Sequence, residues 1–406
     1  TPTTQNTLSL HDALPISLSG TPAYVFDTDV FRDRIARTSR LLGSRAKLCY
    51  AMKANPFLVG TAELDRYEVC SPGEFAICER IGIPMSRIVL SGVYKAETDL
   101  KRVIPAYGKL LTFTAESLRQ FQQINAIAQA NGLCVRLLLR LSSGNQFGIE
   151  RNEIIDLIKN RSLFTGVDII GLQHFSGTQR HSLGKYEKEL RMLDELLDEL
   201  QESGYEAQEL EFGPGFYVEY FQNQKPYDED ELVSGFARLL EQMRFKGKII
   251  LELGRFLAAA CGTYYTAVCD MKENGGRQYC ITDGGKHQLS YFGAMMGMKH
   301  PFVRVLSPRL EPAAPIPYTV CGALCTVNDI LAQNLPLPRL EPGDILEFQR
   351  AGAYCMCEGI SLFLSRDLPK IFLYSEQEGL IRLRGKIETY HFNMRQEEEN
   401  NDGKTA

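Results

Sequence analysis

With 406 residues, 44% of them hydrophobic and 23% charged, the chain has enough apolar side chains for about two globular domains with cores of their own. A net charge of -5 leaves no basic footprint for nucleic acid, and no apolar run approaches the ~20 residues that a membrane-spanning helix needs. Eleven cysteines, an odd number, are scattered without paired zinc-ligand spacing. With no secretory signal in view they are expected to be reduced thiols of a cytoplasmic protein, most of them small core residues, with no metal site.

Residues 1–17 are polar and aperiodic, and Leu8-Ser-Leu-His-Asp-Ala-Leu-Pro-Ile16 resembles translated sequencing adapter, so this leader is set aside from the fold. Within residues 18–28, Ala23-Tyr-Val-Phe26 is expected to be a strand that joins the sheet of a second domain. Apolar strands are then expected at 47–51, 67–71, 87–91, 110–114, 134–141, 168–175, 209–212 and 248–253. Helical spacing lies between them, as at 186–202 and 230–245. Eight strand–helix units over 29–261 match the size of a (β/α)₈ barrel. Residues 262–390 are β-rich without comparable helices, with strands expected at 262–269, 277–282, 302–306, 318–321, 344–348, 370–374 and 380–383. The expected fold class is therefore α/β: a (β/α)₈ TIM barrel followed by a mostly antiparallel β-domain. The charged tail, 391–406, is expected to be disordered.

The chemically distinctive residues follow the predicted barrel strands, at the carboxyl ends where barrels carry their sites. Lys53 follows the first in Tyr50-Ala-Met-Lys-Ala-Asn-Pro56, where proline stops the strand. A lysine amine desolvated there can attack a carbonyl to form a Schiff base. Cys70-Ser-Pro-Gly-Glu74 follows the second strand, and Ser91-Gly-Val-Tyr-Lys95 the third. His174-Phe-Ser-Gly-Thr-Gln179 follows the sixth, with Ser176 and Thr178 offering hydroxyls. Gly213-Pro-Gly215 follows the seventh and allows backbone N–H groups close to an anion. Glu252-Leu-Gly-Arg255 ends the eighth, and a buried carboxylate there needs a partner such as a protonated pyridine nitrogen. Lysine, anion loop and carboxylate together fit pyridoxal 5'-phosphate (PLP). In the second domain, Cys325 reads either as core filler or as a thiol donating a proton to a carbanion. Tyr354 reads either as a packed aromatic or as a contact to phosphate or substrate.

Taken together, Tyr50-Ala-Met-Lys-Ala-Asn, Ser71-Pro-Gly-Glu, the glycine loop, Glu-Leu-Gly-Arg255, Gly322-x-x-Cys325-x-x-x-Asp329 and Ala-Gly-Ala-Tyr354 resemble the fold-type III PLP decarboxylases. This family includes the diaminopimelate and ornithine decarboxylases and shares its fold with alanine racemase. The resemblance spans about residues 20 to 385. It implies that Lys53 carries the cofactor and that Gly213, Gly215, Gly254 and Arg255 hold it, with Glu252 at its pyridine nitrogen. His174, Phe175, Ser176 and Tyr354 are implied as further cofactor contacts, Phe175 standing where a histidine is usual. Cys325 would be the proton donor, with Arg255, Tyr291, Thr326 and Asp329 at the substrate. A homodimer with shared sites is also implied.

Two departures bear on the substrate. Thr326 follows Cys325 where diaminopimelate decarboxylases carry a glutamate, and Tyr291 and Met295 align with their arginine and tyrosine. These features, with Leu324-Cys-Thr and Phe363-Leu-Ser365, look closer to the butirosin-type branch, which acts on a glutamyl group tethered to a carrier protein. The expected activity is α-decarboxylation of an amino acid, free or carrier-bound, in primary or secondary metabolism. Three alternatives remain open: a true diaminopimelate decarboxylase, a racemase of the alanine racemase fold, and a non-catalytic PLP-binding protein. A racemase would place an arginine at the pyridine nitrogen and a tyrosine base in the second domain, in contrast to Glu252 and Cys325.

Overall fold

The computed structural model describes residues 20–222, 224, 227–291, 298–306 and 314–395. The leader at 1–17, the tail beyond 395 and Met295 lie outside them. The chain divides into two compact units. One runs from Thr28 to Cys261, except for a short excursion at Tyr220. The other collects β1 (Ala23–Asp27), that excursion and the chain from Gly262 onward.

In the first unit eight parallel strands close into a barrel. They are β2 (Ala46–Ala51), β3 (Arg66–Val69), β4 (Ile88–Leu90), β5 (Thr112–Ala115), β6 (Val135–Leu141), β7 (Val167–Phe175), β8 (Glu209–Gly213) and β9 (Lys248–Leu253). Each is an almost continuous buried run, because a barrel strand is covered on both faces. Closure sets β2 beside β9, with Cys49 opposite Glu252, and β2 beside β3, with Ala51 opposite Glu68. Those two registers decide which side chains converge near Lys53.

The barrel helices are α1 (Thr28–Leu42), α2 (Pro72–Ile81), α3 (Glu97–Tyr107), α4 (Leu118–Ala130), α5 (Arg151–Lys159), α6 (Leu183–Glu202) and α7 (Glu229–Gln242). Along α6, Tyr186, Leu190, Leu193, Leu197 and Leu200 form the buried stripe that helical spacing dictates. Helix α7 stops three residues short of the sequence expectation. Met243 turns to an extended conformation, and the Asp194 carboxylate takes the next two backbone N–H groups, of Arg244 and Phe245.

The second unit is a nine-stranded sheet among the described residues. It consists of β1 with β10 (Gly262–Asn274), β11 (Arg277–Thr282), β12 (Val303–Leu306), β13 (Ile316–Cys321), β14 (Ile330–Leu337), β15 (Ile345–Phe348), β16 (Lys370–Ser375) and β17 (Gly379–Arg384). The main path is β14-β13-β11-β10-β1-β16-β17, with β15 pairing β10 and β12. Most pairs are antiparallel; β1–β16 and β11–β13 are parallel. Ala23 and Val25 of β1 pack with Tyr265 and Phe372 as one buried cluster, and that burial holds the N-terminal strand in this sheet.

Two features depart from expectation here. Strand β14 was not anticipated, and order extends past residue 390: Tyr390–Asn393 is a helical turn whose Asn393 amide donates to Leu362 O and Ser365 Oγ. Fewer cysteines are core residues than composition suggests, since five are buried and Cys134, Cys269, Cys325 and Cys357 are exposed. Among the described residues no helix is long and apolar enough to cross a membrane.

Candidate active site

Lys53 sits in a 3-10 turn, Met52–Ala54, directly after β2. The turn is pinned by Tyr50, whose hydroxyl donates to Asn55 O at 3.0 Å, and by Asn55 Oδ1, which accepts from Phe57 N. It also needs Gly254 at the end of β9, where an added methyl would stand 3.0 Å from Ala54 Cβ and 3.1 Å from Ala51 O. The amine is not desolvated, as sequence alone suggested. Its side chain is 40% exposed and Nζ lies 2.6 Å from Glu68 Oε2 and 3.5 Å from Glu252 Oε1.

Glu68, absent from the sequence-based set, is therefore the principal partner of Lys53. Its Oε1 also accepts from the Cys70 thiol at 3.2 Å. The signal for it was an acidic residue in a four-residue strand, two positions from Arg66 and hence on the same face. Burial alone would raise both carboxyls. The Lys53 ammonium and hydrogen bonds from Lys53, Glu252 and Cys70 outweigh this for Glu68 and hold its pKa below the usual carboxylate range. Glu252, also buried and facing the Glu68 charge, is held above that range. Burial and Glu68 together push the Cys70 thiol far up, so it stays protonated.

The Ser71-Pro-Gly-Glu74 motif turns out to be a helix cap. Ser71 Oγ accepts from Glu74 N, Pro72 takes the first helical position, and Glu74 accepts from Cys70 N at 2.7 Å. It sets the end of β3 and so the place of Cys70.

Around the other half of the mouth, the loops after β7 and β8 are joined by backbone bonds from Arg180 N to Gly215 O and from Tyr217 N to Arg180 O. Gly215 has φ +59°, and a methyl on it would stand 1.9 Å from Gly177 O. A methyl on Gly213 would meet the Phe175 ring at 2.5 Å. The result is a backbone-lined cradle beside an aromatic face. Ser176 is exposed on this loop and hydrogen-bonds Glu189, while Arg255 Nε reaches Thr178 Oγ1 at 3.3 Å.

His174 is a correction. Strand alternation sends Gln173 and Phe175 one way and His174 the other. Its ring lies against Leu141 O at 3.2 Å and Glu189 of α6 at 3.0 Å, stacked on Phe212 between strand and helix. It does not share a face with Lys53 and Glu252, and its expected cofactor contact is withdrawn.

In the second unit, Cys325 and Thr326 lie on the turn between β13 and β14, the thiol exposed. Asp329 is buried, and its oxygens accept from Lys286 N at 2.8 Å and Leu324 N at 2.7 Å. That carboxylate ties the cysteine turn to the Gly284-Gly285 turn; the expected substrate contact gives way to this role. Tyr291 is likewise a core residue. It is 1% exposed, packed against Tyr220 and Phe221, and its hydroxyl donates to Gln349 O. Tyr354 adopts φ +64°, which costs a non-glycine residue about 1–2 kcal/mol, and such strain is common at ligand contacts.

The cradle, the paired amine and the buried carboxyl of Glu252 fit PLP: the loops for its phosphate, Lys53 for its aldehyde and Glu252 for its ring nitrogen. Comparison with known proteins agrees. Residues 28–259 match the family described as pyridoxal-dependent decarboxylase, pyridoxal binding domain. The chain belongs to the pyridoxal-dependent decarboxylases. It is thus a PLP-dependent carboxy-lyase, with PLP as its cofactor. The chain is 26% identical to the diaminopimelate decarboxylase of Aquifex aeolicus over 395 residues, covering 92% of this chain and 90% of that one. It is 27% identical to the L-glutamyl-[BtrI acyl-carrier protein] decarboxylase of Niallia circulans over 400 residues, covering 90% and 91%. The Helicobacter pylori diaminopimelate decarboxylase complexed with L-lysine shares the fold, with a TM-score of 0.80 at 22% identity over 93% of this chain and 96% of that one.

Proposed function

We propose that this decarboxylase removes the α-carboxylate of an amino acid whose far end is uncharged or tethered. The observation that carries the chemistry is Lys53 held between Glu68 and Glu252 at the barrel mouth. When bound, PLP supplies an aldehyde for the amine and an electron sink for the departing carboxylate's electrons. Lys53 would meet that aldehyde, and Glu68 Oε2, at 2.6 Å, holds the amine in place for it. Glu252 would be the acidic partner of the ring nitrogen. The backbone N–H groups of the Gly213–Gly215 loop, with Ser176, bind phosphate, and Phe175 covers the ring face. Arg255 holds a substrate carboxylate. Cys325 protonates the α-carbon, acting across a homodimer, and Tyr354 completes the cofactor contacts.

For the substrate, Thr326 offers a hydroxyl but no charge where the resemblance puts a glutamate for an amine, and Tyr291 is spent in the core. The glutamyl group on a carrier protein that names the Niallia circulans relative is chemically of the kind proposed. A second reading, diaminopimelate as substrate, is favoured by relatives of that name across most of the chain. Carbon dioxide release from meso-diaminopimelate, lysine, ornithine, glutamate and a glutamyl thioester separates the two. The expected kcat/KM for meso-diaminopimelate is about 10⁴-fold below that for the best substrate, the usual cost of leaving buried polar groups unpaired. Preferred turnover of meso-diaminopimelate would establish the second reading instead.

A further inference from the structure

Beneath Lys53 and Glu252 a line of polar side chains continues down the barrel interior. Gln173 Nε2 donates to Glu252 Oε2 at 3.1 Å and to Glu211 Oε1 at 3.3 Å. Glu211 Oε2 accepts from Arg66 Nη1 at 2.9 Å, and Arg66 also grips Glu209. The Arg66, Glu209 and Glu211 side chains are 5%, 2% and 0% exposed. A barrel does not need such a cluster to close, since apolar residues of similar volume would pack as well or better. Gln173 is the telling member. It is 1% exposed, its N–H groups bridge two carboxyls, and its Oε1 has no partner among the described residues. An amide that leaves a buried acceptor unmet is held in place by what its donors do.

We infer that Gln173 and Glu211 are positioning residues for the cofactor: Gln173 fixes the Glu252 carboxyl that faces the ring nitrogen, and Glu211 behind it sets the charge which that carboxyl feels. The inference rests on the PLP-dependent reading above. Glu252 is faced by Lys53 from the turn after β2, by Glu68 from β3, by the Cys49 and Cys70 thiols, and by Glu211 from below. Lys53 thus stands against Glu68 and Glu252, and Arg66 against Glu209 and Glu211, with Lys248 and Arg136 also 3.5 and 3.9 Å from Glu209. Such a cluster keeps protons on some of its carboxyls near neutral pH. Burial, opposed by Arg66, leaves Glu211 at about 7, so its charge changes in the working range.

The two residues act on Glu252 with opposite sign. The Glu211 charge disfavours ionisation of Glu252, whereas the Gln173 N–H, which donates to the ionised form, favours it. The test is the visible absorption of the cofactor-loaded protein, followed from about pH 5.5 to about pH 9 in wild type, Glu211→Gln and Gln173→Met. The midpoint should move to lower pH in Glu211→Gln and to higher pH in Gln173→Met, each by roughly one unit. A general loosening of the barrel would move both the same way. If Glu211→Gln does not fold, the upward shift in Gln173→Met still decides the matter. Unmoved midpoints with cofactor bound overturn the inference alone. A wild-type protein that takes up no PLP overturns both the inference and the reading beneath it.

Discussion

Lys53→Ala is expected to remove the visible absorption of the cofactor-loaded protein and to lower turnover to below about 10⁻³ of wild type, because it deletes both the nucleophilic amine and the proton it carries. The effect should exceed that of any other single substitution at the barrel mouth. Among the described residues nothing else there is arranged to replace the amine. Lys95, the other lysine near this face, is buried and donates to Gly92 O at 2.7 Å and Gln120 Oε1 at 3.1 Å. Borohydride treatment separates loss of the bond from loss of binding. Wild type should retain the label covalently after denaturation, and Lys53→Ala should release it. A variant that stays active, or that keeps a reducible visible band, would remove Lys53 from the mechanism.

The second large effect is on stability. Arg66→Met leaves Glu209 and Glu211 buried without their central cation, and breaking a buried ion pair from one side typically costs about 3–5 kcal/mol. The loss should depend on pH, with the following sign. Glu211 is a carboxyl raised from 4.5 to about 7 by folding, so the native state binds the extra proton. Its contribution is complete below the unfolded value and is lost as pH rises through about 7. Glu252 has the same sign. Glu68, depressed by Lys53, has the opposite one: its contribution is present at neutral pH and is lost as pH falls through the depressed value. Urea unfolding at fixed cofactor concentration should therefore show Arg66→Met to be more damaging at about pH 8 than at about pH 5, where the orphaned Glu211 carboxyl can neutralise. Equal losses at both pH values would mean that Arg66 contributes packing and not charge.

The barrel was legible in the sequence because parallel strands covered on both faces must be written as apolar runs. All eight expected positions hold strands, with ends displaced by only a residue or two. The sheet of the second unit was less so. Strand β14 contains Pro336 and Asn334, the latter at φ +51°, and these interrupt the alternation that marks a strand. At the site, Lys53 and Glu252 announced themselves as charges ending apolar runs. Glu68 did not, since its importance comes from the register that sets it opposite Ala51. His174 was misread for a local reason: Phe175 was taken to face the cofactor, and the period of two then sends His174 outward. Asp329 and Tyr291 were misjudged because a sequence shows that a residue is polar but not that its oxygens are already engaged.

The pairing of β1 with β16 sets a clock on synthesis. Ala23 lies opposite Lys370, 347 residues later in the chain (370 minus 23). At about 5–20 residues per second, the strand Ala-Tyr-Val-Phe-Asp waits roughly 17–70 seconds after translation before that neighbour is made. Its other neighbour, in β10, arrives some 240 residues after it. Throughout that interval the barrel segment can close on contacts of its own, while an apolar strand with open edges stays attached to it. The nascent chain is thus a natural client for chaperones that shield extended apolar segments. For the same reason, a fragment beginning at Gly262 would lack the strand between β10 and β16, and its sheet would be split down the middle.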